Sequence, residues 1–204
     1  MGISFVLYVV CGFIFGLIFG IAALFHFMEL GSAELAASVL TFASAYLYLA
    51  WKLKTFNLFS HFGKFTFSWK DLVTVSLVYI TSEVLMTFLT TVLPHPYSPA
   101  GALLAQLSGT DKNILLGVAI LLAPATEEFM FRGVLLSFLS RFMGTIPAVM
   151  ASSAIFAAMH HTASGFIFLF IAGVALAIVR VKTKNLFPGM IMHCANNALA
   201  MLSP

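Results

Sequence analysis

The chain has 204 residues, 61% hydrophobic and 8% charged, with a formal net charge of +3. Soluble domains carry about 25% charged residues, so this composition, with a mean hydropathy of +1.06, excludes a water-soluble fold and points to an integral membrane protein. The small basic excess gives no support for nucleic-acid binding.

A spanning helix needs about 20 predominantly apolar residues, and seven segments meet or approach that length: 3–28, 33–51, 72–93, 113–139, 146–160, 166–181 and 189–202. The first has no basic leading region and is about twice as long as a signal-peptide core, so it is expected to be a retained span. Its Gly12, Gly16 and Gly20 recur every four residues, a pattern that lets helices approach closely. Lys52–Lys70 mixes lysines with aromatic residues and reads either as an interfacial segment or as a plain loop. Turn residues Gly144, Pro147, Gly165 and Pro188-Gly189 separate the later spans. Cys11 and Cys194 sit in apolar surroundings without paired spacing and are expected to be buried thiols.

The expected fold is therefore all-α: a polytopic transmembrane helical bundle of about seven spans, with eight as the alternative, and a cavity within the bundle. Residues 1–204 form one integral membrane domain, 1–112 carrying spans one to three and 113–204 spans four to seven. Lys52, Lys54, Lys64, Lys70, Arg141, Arg180, Lys182 and Lys184 all fall on one side of such a bundle and Lys112 on the other. Basic loops stay in the cytoplasm, so the N-terminus is expected there and the C-terminus outside.

Ionisable residues within spans cost on the order of 3 kcal/mol each and mark function by default. Span four contains Glu127, Glu128 and Arg132. Glu128 and Arg132, four apart, share a helix face, which leaves Glu127 to project elsewhere; the opposite assignment stays open, as does a purely structural ion cluster. Span five ends on Phe156, His160 and His161, and span seven carries His193 and Asn197 on one face, with Asn196 expected to turn away. A carboxylate and an imidazole can jointly deprotonate a water; an imidazole and a carboxamide aimed at one point suit a developing oxyanion. Glu83, in span three, lies outside these groups and reads as a polar partner or cavity-lining residue.

Taken in order, EEFMFR at Glu127–Arg132, FAAMH at Phe156–His160 and HCANN at His193–Asn197 resemble the EExxxR, FxxxH and HxxxN motifs of the CPBP family, the CAAX proteases and bacteriocin-processing enzymes related to the type II CAAX prenyl endopeptidase. The resemblance implies that 113–204 is a CPBP-type catalytic core and that the activity is intramembrane peptide-bond hydrolysis. It casts Glu127 as the general base assisted by His160, His193 and Asn197 as oxyanion donors, Glu128 and Arg132 as supports, and Phe156 as packing beside His160.

No HExxH zinc signature occurs, and a metal-free glutamate mechanism without a cofactor is expected. Zinc held by Glu127, His160 and His193 is the alternative. The implied partners are membrane lipid and a peptide or lipidated protein cut near its C-terminus or leader; the oligomeric state is not assigned by the sequence. A bacterial cytoplasmic membrane is the expected location. Two other classes stay open: a bacteriocin-immunity or peptide-binding protein of the same fold, and a proton-coupled transporter, for which the paired repeats or broken helices of transporters are not evident.

Overall fold

The computed structural model describes residues 66–93, 104, 107–160 and 164–202, with no strand among them. Expected spans one and two, Cys11, His161 and most of the lysine-rich segment lie outside the described residues. The chain divides into two compact units, Met1–Ser60 with Leu107–Ile114, and His61–Gln106 with Leu115–Pro204. The second unit is the one described below.

Helix α1, Trp69–Thr90, begins three residues before the expected span because Ser68 closes a capping box. Ser68 Oγ accepts from the Asp71 amide at 3.2 Å while the Asp71 carboxylate accepts from the Ser68 amide at 2.9 Å. Two N–H groups that a helix start would leave without partners are thereby satisfied, and the polar turn Trp69–Asp71 becomes helical. Its large apolar residues Leu77, Ile80, Val84 and Phe88 are exposed, as expected of a lipid-facing surface.

Expected span four is helical along its length but not uniformly α. It runs as α2 (Gly109–Gly117), a π-helical stretch Val118–Leu122, α3 (Ala123–Glu127), a second π-helical stretch Glu128–Leu135 and α4 (Leu136–Met143). Pro124 supplies one physical reason. Proline removes a main-chain donor and crowds the preceding turn, and the wider turn before it is closed by the Ala123 amide on the Val118 carbonyl. The second wide stretch contains Glu128 and Arg132 and ends with the Leu136 amide on the Phe131 carbonyl. Such wide turns often occur at functional sites.

Gly144 (φ 79) separates α4 from α5, Thr145–Met159. Helix α6, Phe166–Thr183, stops at left-handed Lys184, whose amide donates to the Arg180 carbonyl at 2.9 Å. Asn185 then starts α7, Phe187–Leu202, by accepting from the Phe187 amide at 3.1 Å, and its own Nδ2 donates to the Thr66 carbonyl at 2.6 Å. Pro188 falls in the first turn of α7, where its missing N–H costs nothing.

Helix α6 is the centre of this unit and packs against α1, α5 and α7. Ala177 joins Leu136, Ala148 and Val149 in one apolar cluster, and Ala175, Leu176 and Val179 join Met192 in another. Three described helices are long and apolar enough to cross a membrane, Trp69–Thr90, Lys112–Met143 and Phe166–Thr183, and Thr145–Met159 is apolar but shorter. The described residues are thus all-helical, with helices fit to cross a membrane.

The approach of α5 to α6 depends on Gly173. A Cβ there would lie 3.1 Å from Ser153 Cβ, 3.2 Å from Ser153 Cα and 3.3 Å from the Phe156 ring. Gly173→Ala is therefore expected to destabilise the protein by about 1–3 kcal/mol, as overpacking does. Gly117→Ala, where an added Cβ meets nothing within 4 Å among the described residues, is expected to leave stability unchanged or raise it by up to about 1 kcal/mol. Thermal unfolding of both variants in one detergent checks the contrast; equal stabilities would remove the close-approach argument.

Candidate active site

The site begins with a charge that the fold has withdrawn from solvent. Glu128 and Arg132 side chains are 0% and 1% exposed, and Arg132 NH1 lies 3.1 Å from Glu128 Oε1. This is an ion pair rather than an aligned hydrogen bond, since NH1 has no hydrogen-bond partner by geometry. The guanidinium is also held from two other directions. NH2 donates to the Gly173 carbonyl at 3.1 Å, and the cationic carbon lies 4.4 Å from the centre of the Phe156 ring. Lysine could not make this set of contacts, because it lacks the planar fork.

Glu128 passes the arrangement on to α7. Its Oε1, already facing Arg132, also lies 3.1 Å from His193 Nδ1. A carboxylate beside a guanidinium acts as acceptor, so Nδ1 is the donor and Nε2 is left to face outward. There Nε2 lies 3.5 Å from Glu127 Oε2, too long for a firm hydrogen bond but within reach of one shared proton or water. The other oxygen of Glu128, Oε2, has no hydrogen-bond partner among the described residues and sits 3.1 Å from where a Cβ on Gly189 would stand. Gly189 thus lets the start of α7 close over the buried carboxylate.

Glu127 has a different environment. Its side chain is 27% exposed and lines a cavity of about 210 Å³ shared with His160, His193 and Asn197. His160 caps the end of α5, and its Nδ1 lies 2.9 Å from the Phe156 carbonyl. A carbonyl only accepts, so Nδ1 carries the hydrogen and Nε2 keeps the lone pair. The His160 and Phe156 rings meet edge to face at 4.7 Å, and Phe131 packs against Phe156 at 5.1 Å. Phe156 therefore links the buried cation to the cavity histidine.

Asn197 Nδ2 donates to the Ala119 carbonyl at 2.9 Å. Ala119 lies in the first π-helical stretch, so the wide turn before Pro124 supplies the acceptor that orients the carboxamide. One N–H of the amide is used this way and the other is left for the cavity.

The structure thus brings Glu127, Phe156, His160, His193 and Asn197 around one space, with Glu128 and Arg132 behind it. Asn196 corrects the sequence expectation, because it lines the same cavity rather than turning away. Positions three and four after His193 both flank its helix face, and the reading by i+4 alone overlooked the i+3 neighbour. Gly173, Gly189 and Ala119 were not singled out by function, since a backbone carbonyl and a missing Cβ leave no chemical signature in sequence.

Glu127, His160 and His193 border one cavity, yet among the described residues no group of three or more His, Cys, Asp or Glu side chains is arranged to hold a metal ion. His193 directs Nδ1 to Glu128, which leaves Nε2 as the ring nitrogen facing the cavity. No step below is routed through a metal.

Residues 110–199 match the family model described as type II CAAX prenyl endopeptidase Rce1-like. No curated protein and no solved structure matches the chain. Every motif residue named above lies within the matched segment, whereas α1 lies before it.

Removing one member of a buried pair strands the other charge, at a cost of about 3–5 kcal/mol. Arg132→Leu is expected to show that loss. The double variant Glu128→Leu/Arg132→Leu should cost less than the sum of the two singles by about 1–3 kcal/mol. Unfolding midpoints of the four proteins in detergent provide the measurement, and simple additivity would show that the pair is not coupled.

Proposed function

We propose, for a chain whose residues 110–199 match the family model described as type II CAAX prenyl endopeptidase Rce1-like, that it is a metal-free intramembrane endopeptidase with Glu127 as its general base. The observation that carries the reading is the split between adjacent carboxylates: Glu128 is sealed and ion-paired, while Glu127 opens onto a cavity with His160, His193 and Asn197. An ion cluster built only for packing has no reason to leave one carboxylate facing such a space.

In this mechanism a water in the cavity gives its proton to Glu127, with His160 Nε2 as second acceptor. The resulting hydroxide attacks the peptide carbonyl. The free N–H of Asn197 receives the developing oxyanion, joined by His193 Nε2–H when the ring carries a proton on both nitrogens and keeps Nδ1–H on Glu128, and Glu127 returns the proton to the departing amine. Glu128 positions His193 through Nδ1, and Arg132 keeps Glu128 in place. Oxyanion donors of this kind contribute about 10²–10³-fold each, and a positioned base about 10²–10⁴-fold.

Asn197 on the same helix face as His193, both lining the cavity, favours an oxyanion pocket over a zinc shell. The substrate is a membrane-associated or lipidated peptide or protein, cut near its C-terminus or leader. Lys70 in the first turn of α1, Arg141 at the end of α4 and Arg180 and Lys182 at the end of α6 support a cytoplasmic placement for those helix ends. With the two expected spans at 3–28 and 33–51 before them, the proposed topology has the N-terminus in the cytoplasm and the C-terminus outside, and the proposed location is a bacterial cytoplasmic membrane.

Glu127→Gln is expected to lower the cleavage rate by at least about 10²-fold without changing the unfolding midpoint, and Asn197→Ala to lower it by about 10²–10³-fold. Cleavage of a quenched-fluorescence peptide by purified protein in liposomes checks both, and full activity of Glu127→Gln would sink the assignment.

A chelator is expected to leave activity unchanged. Stoichiometric zinc in the active preparation, with activity lost on its removal and regained on its return, would replace the metal-free mechanism.

A further inference from the structure

Glu83 lies on α1, outside the segment that matches the family model and outside all three motifs. It nevertheless lines the same cavity as Glu127 and Asn197. Its Oε1 is buried and has no hydrogen-bond partner among the described residues. Several donors near it are used elsewhere, and the Tyr79 hydroxyl and Asn196 amide, on the same cavity wall, make no hydrogen bond to this oxygen. Thr81 and Ser82 return their hydroxyls to the Leu77 and Tyr79 carbonyls of their own helix at 2.8 Å each. Arg132 is held by Glu128 and Gly173, and one Asn197 N–H by Ala119.

The cavity therefore has two carboxylates on its walls, Glu83 and Glu127, and neither lysine nor arginine among its lining residues. A carboxylate oxygen taken out of water without a partner is unfavourable, and a ligand that supplies a donor relieves it. A cation that paired with Glu127 would withdraw the base from the water, so charge recognition has to fall on a second carboxylate. Met86, Leu176 and Met201 supply apolar wall for the aliphatic stem of a long cationic side chain.

We propose that Glu83 is a substrate-binding residue that sets specificity by receiving a lysine or arginine side chain of the peptide close to the scissile bond. The proposal rests on the peptidase reading of the cavity. It assigns α1, which lies before the matched segment, the task of choosing the substrate. A peptide with glutamate at the same position meets two like charges and is rejected.

The test uses the full chain in detergent micelles carrying Glu127→Gln, so that peptides remain uncut and Glu83 is the remaining carboxylate facing the cavity. The probes are palmitoyl-anchored polyalanine dodecapeptides with a single lysine, norleucine or glutamate placed at each position in turn, and binding is read by fluorescence anisotropy. At one or two adjacent positions lysine should bind at least about 10-fold more tightly than norleucine, with glutamate weakest. Adding Glu83→Gln should bring the lysine-to-norleucine ratio to about 1, and adding Glu83→Lys should favour glutamate.

Thermal unfolding of each variant establishes that it is folded, and Glu83→Gln alone decides the outcome if Glu83→Lys is not. No position preferring lysine, or a preference that survives Glu83→Gln, overturns the proposal. Cleavage by Glu127→Gln protein would instead overturn Glu127 as the base, and failure of the unmutated chain to cut any of these peptides would overturn the peptidase reading beneath it, so these failures are distinguishable from that of the proposal.

Discussion

An ion pair with both members at the bottom of a helical bundle is a poor source of stability. Each ion loses several kcal/mol of hydration on burial, and their attraction returns this only when the remaining hydrogen-bonding capacity is also met. The pairing of Glu128 with Arg132 therefore imposes demands on every helix around it. Helix α6 answers with the Gly173 carbonyl, α5 with the face of Phe156, and α7 with His193 and the space left at Gly189. The helices of the site are tied to one another through a charge that none of them could hold alone.

That constraint explains why two adjacent glutamates have different surroundings. The pair fixes Glu128 on the sealed side, and the turn of the helix then points Glu127 into the cavity. The π-helical stretches on both sides of Ala123–Glu127 set this orientation. The first of them also places the Ala119 carbonyl against Asn197, so one departure from α geometry serves two parts of the site. His193 touches both carboxylates, with one ring nitrogen on the structural charge and the other toward the chemical one. A disturbance at Arg132 would reach the cavity by that route.

The cavity is acidic on two walls, and the walls belong to different parts of the chain. Glu127 comes from the segment that carries the family motifs, and Glu83 from a helix that precedes it. In the proposed mechanism, separating the base from a second carboxylate would let the site attract positive charge without neutralising the group that acts on water. Chemistry held in one segment and selection contributed by another would let relatives change substrate through a helix such as α1 while the motif residues stay in place.

The sequence by itself determined that this is a membrane-embedded helical protein, because 8% charge over 204 residues cannot clothe a soluble surface. It also determined which polar residues needed a reason to be there, since ionisable groups in apolar spans are conspicuous, and the i,i+4 spacing of Glu128 and Arg132 announced their pairing. Its helical arithmetic was less complete at Asn196, which flanks the same face as His193 from the i+3 position. It carried no sign of the Gly173 carbonyl, the Gly189 clearance or the Ala119 acceptor, because every residue has a main-chain oxygen and a glycine does not say which neighbour its missing Cβ admits. Tertiary structure alone decided those, along with the placement of Glu83 opposite the motif residues. Which groups share a cavity depends on how helices distant in sequence cross, and a one-dimensional pattern does not record that crossing.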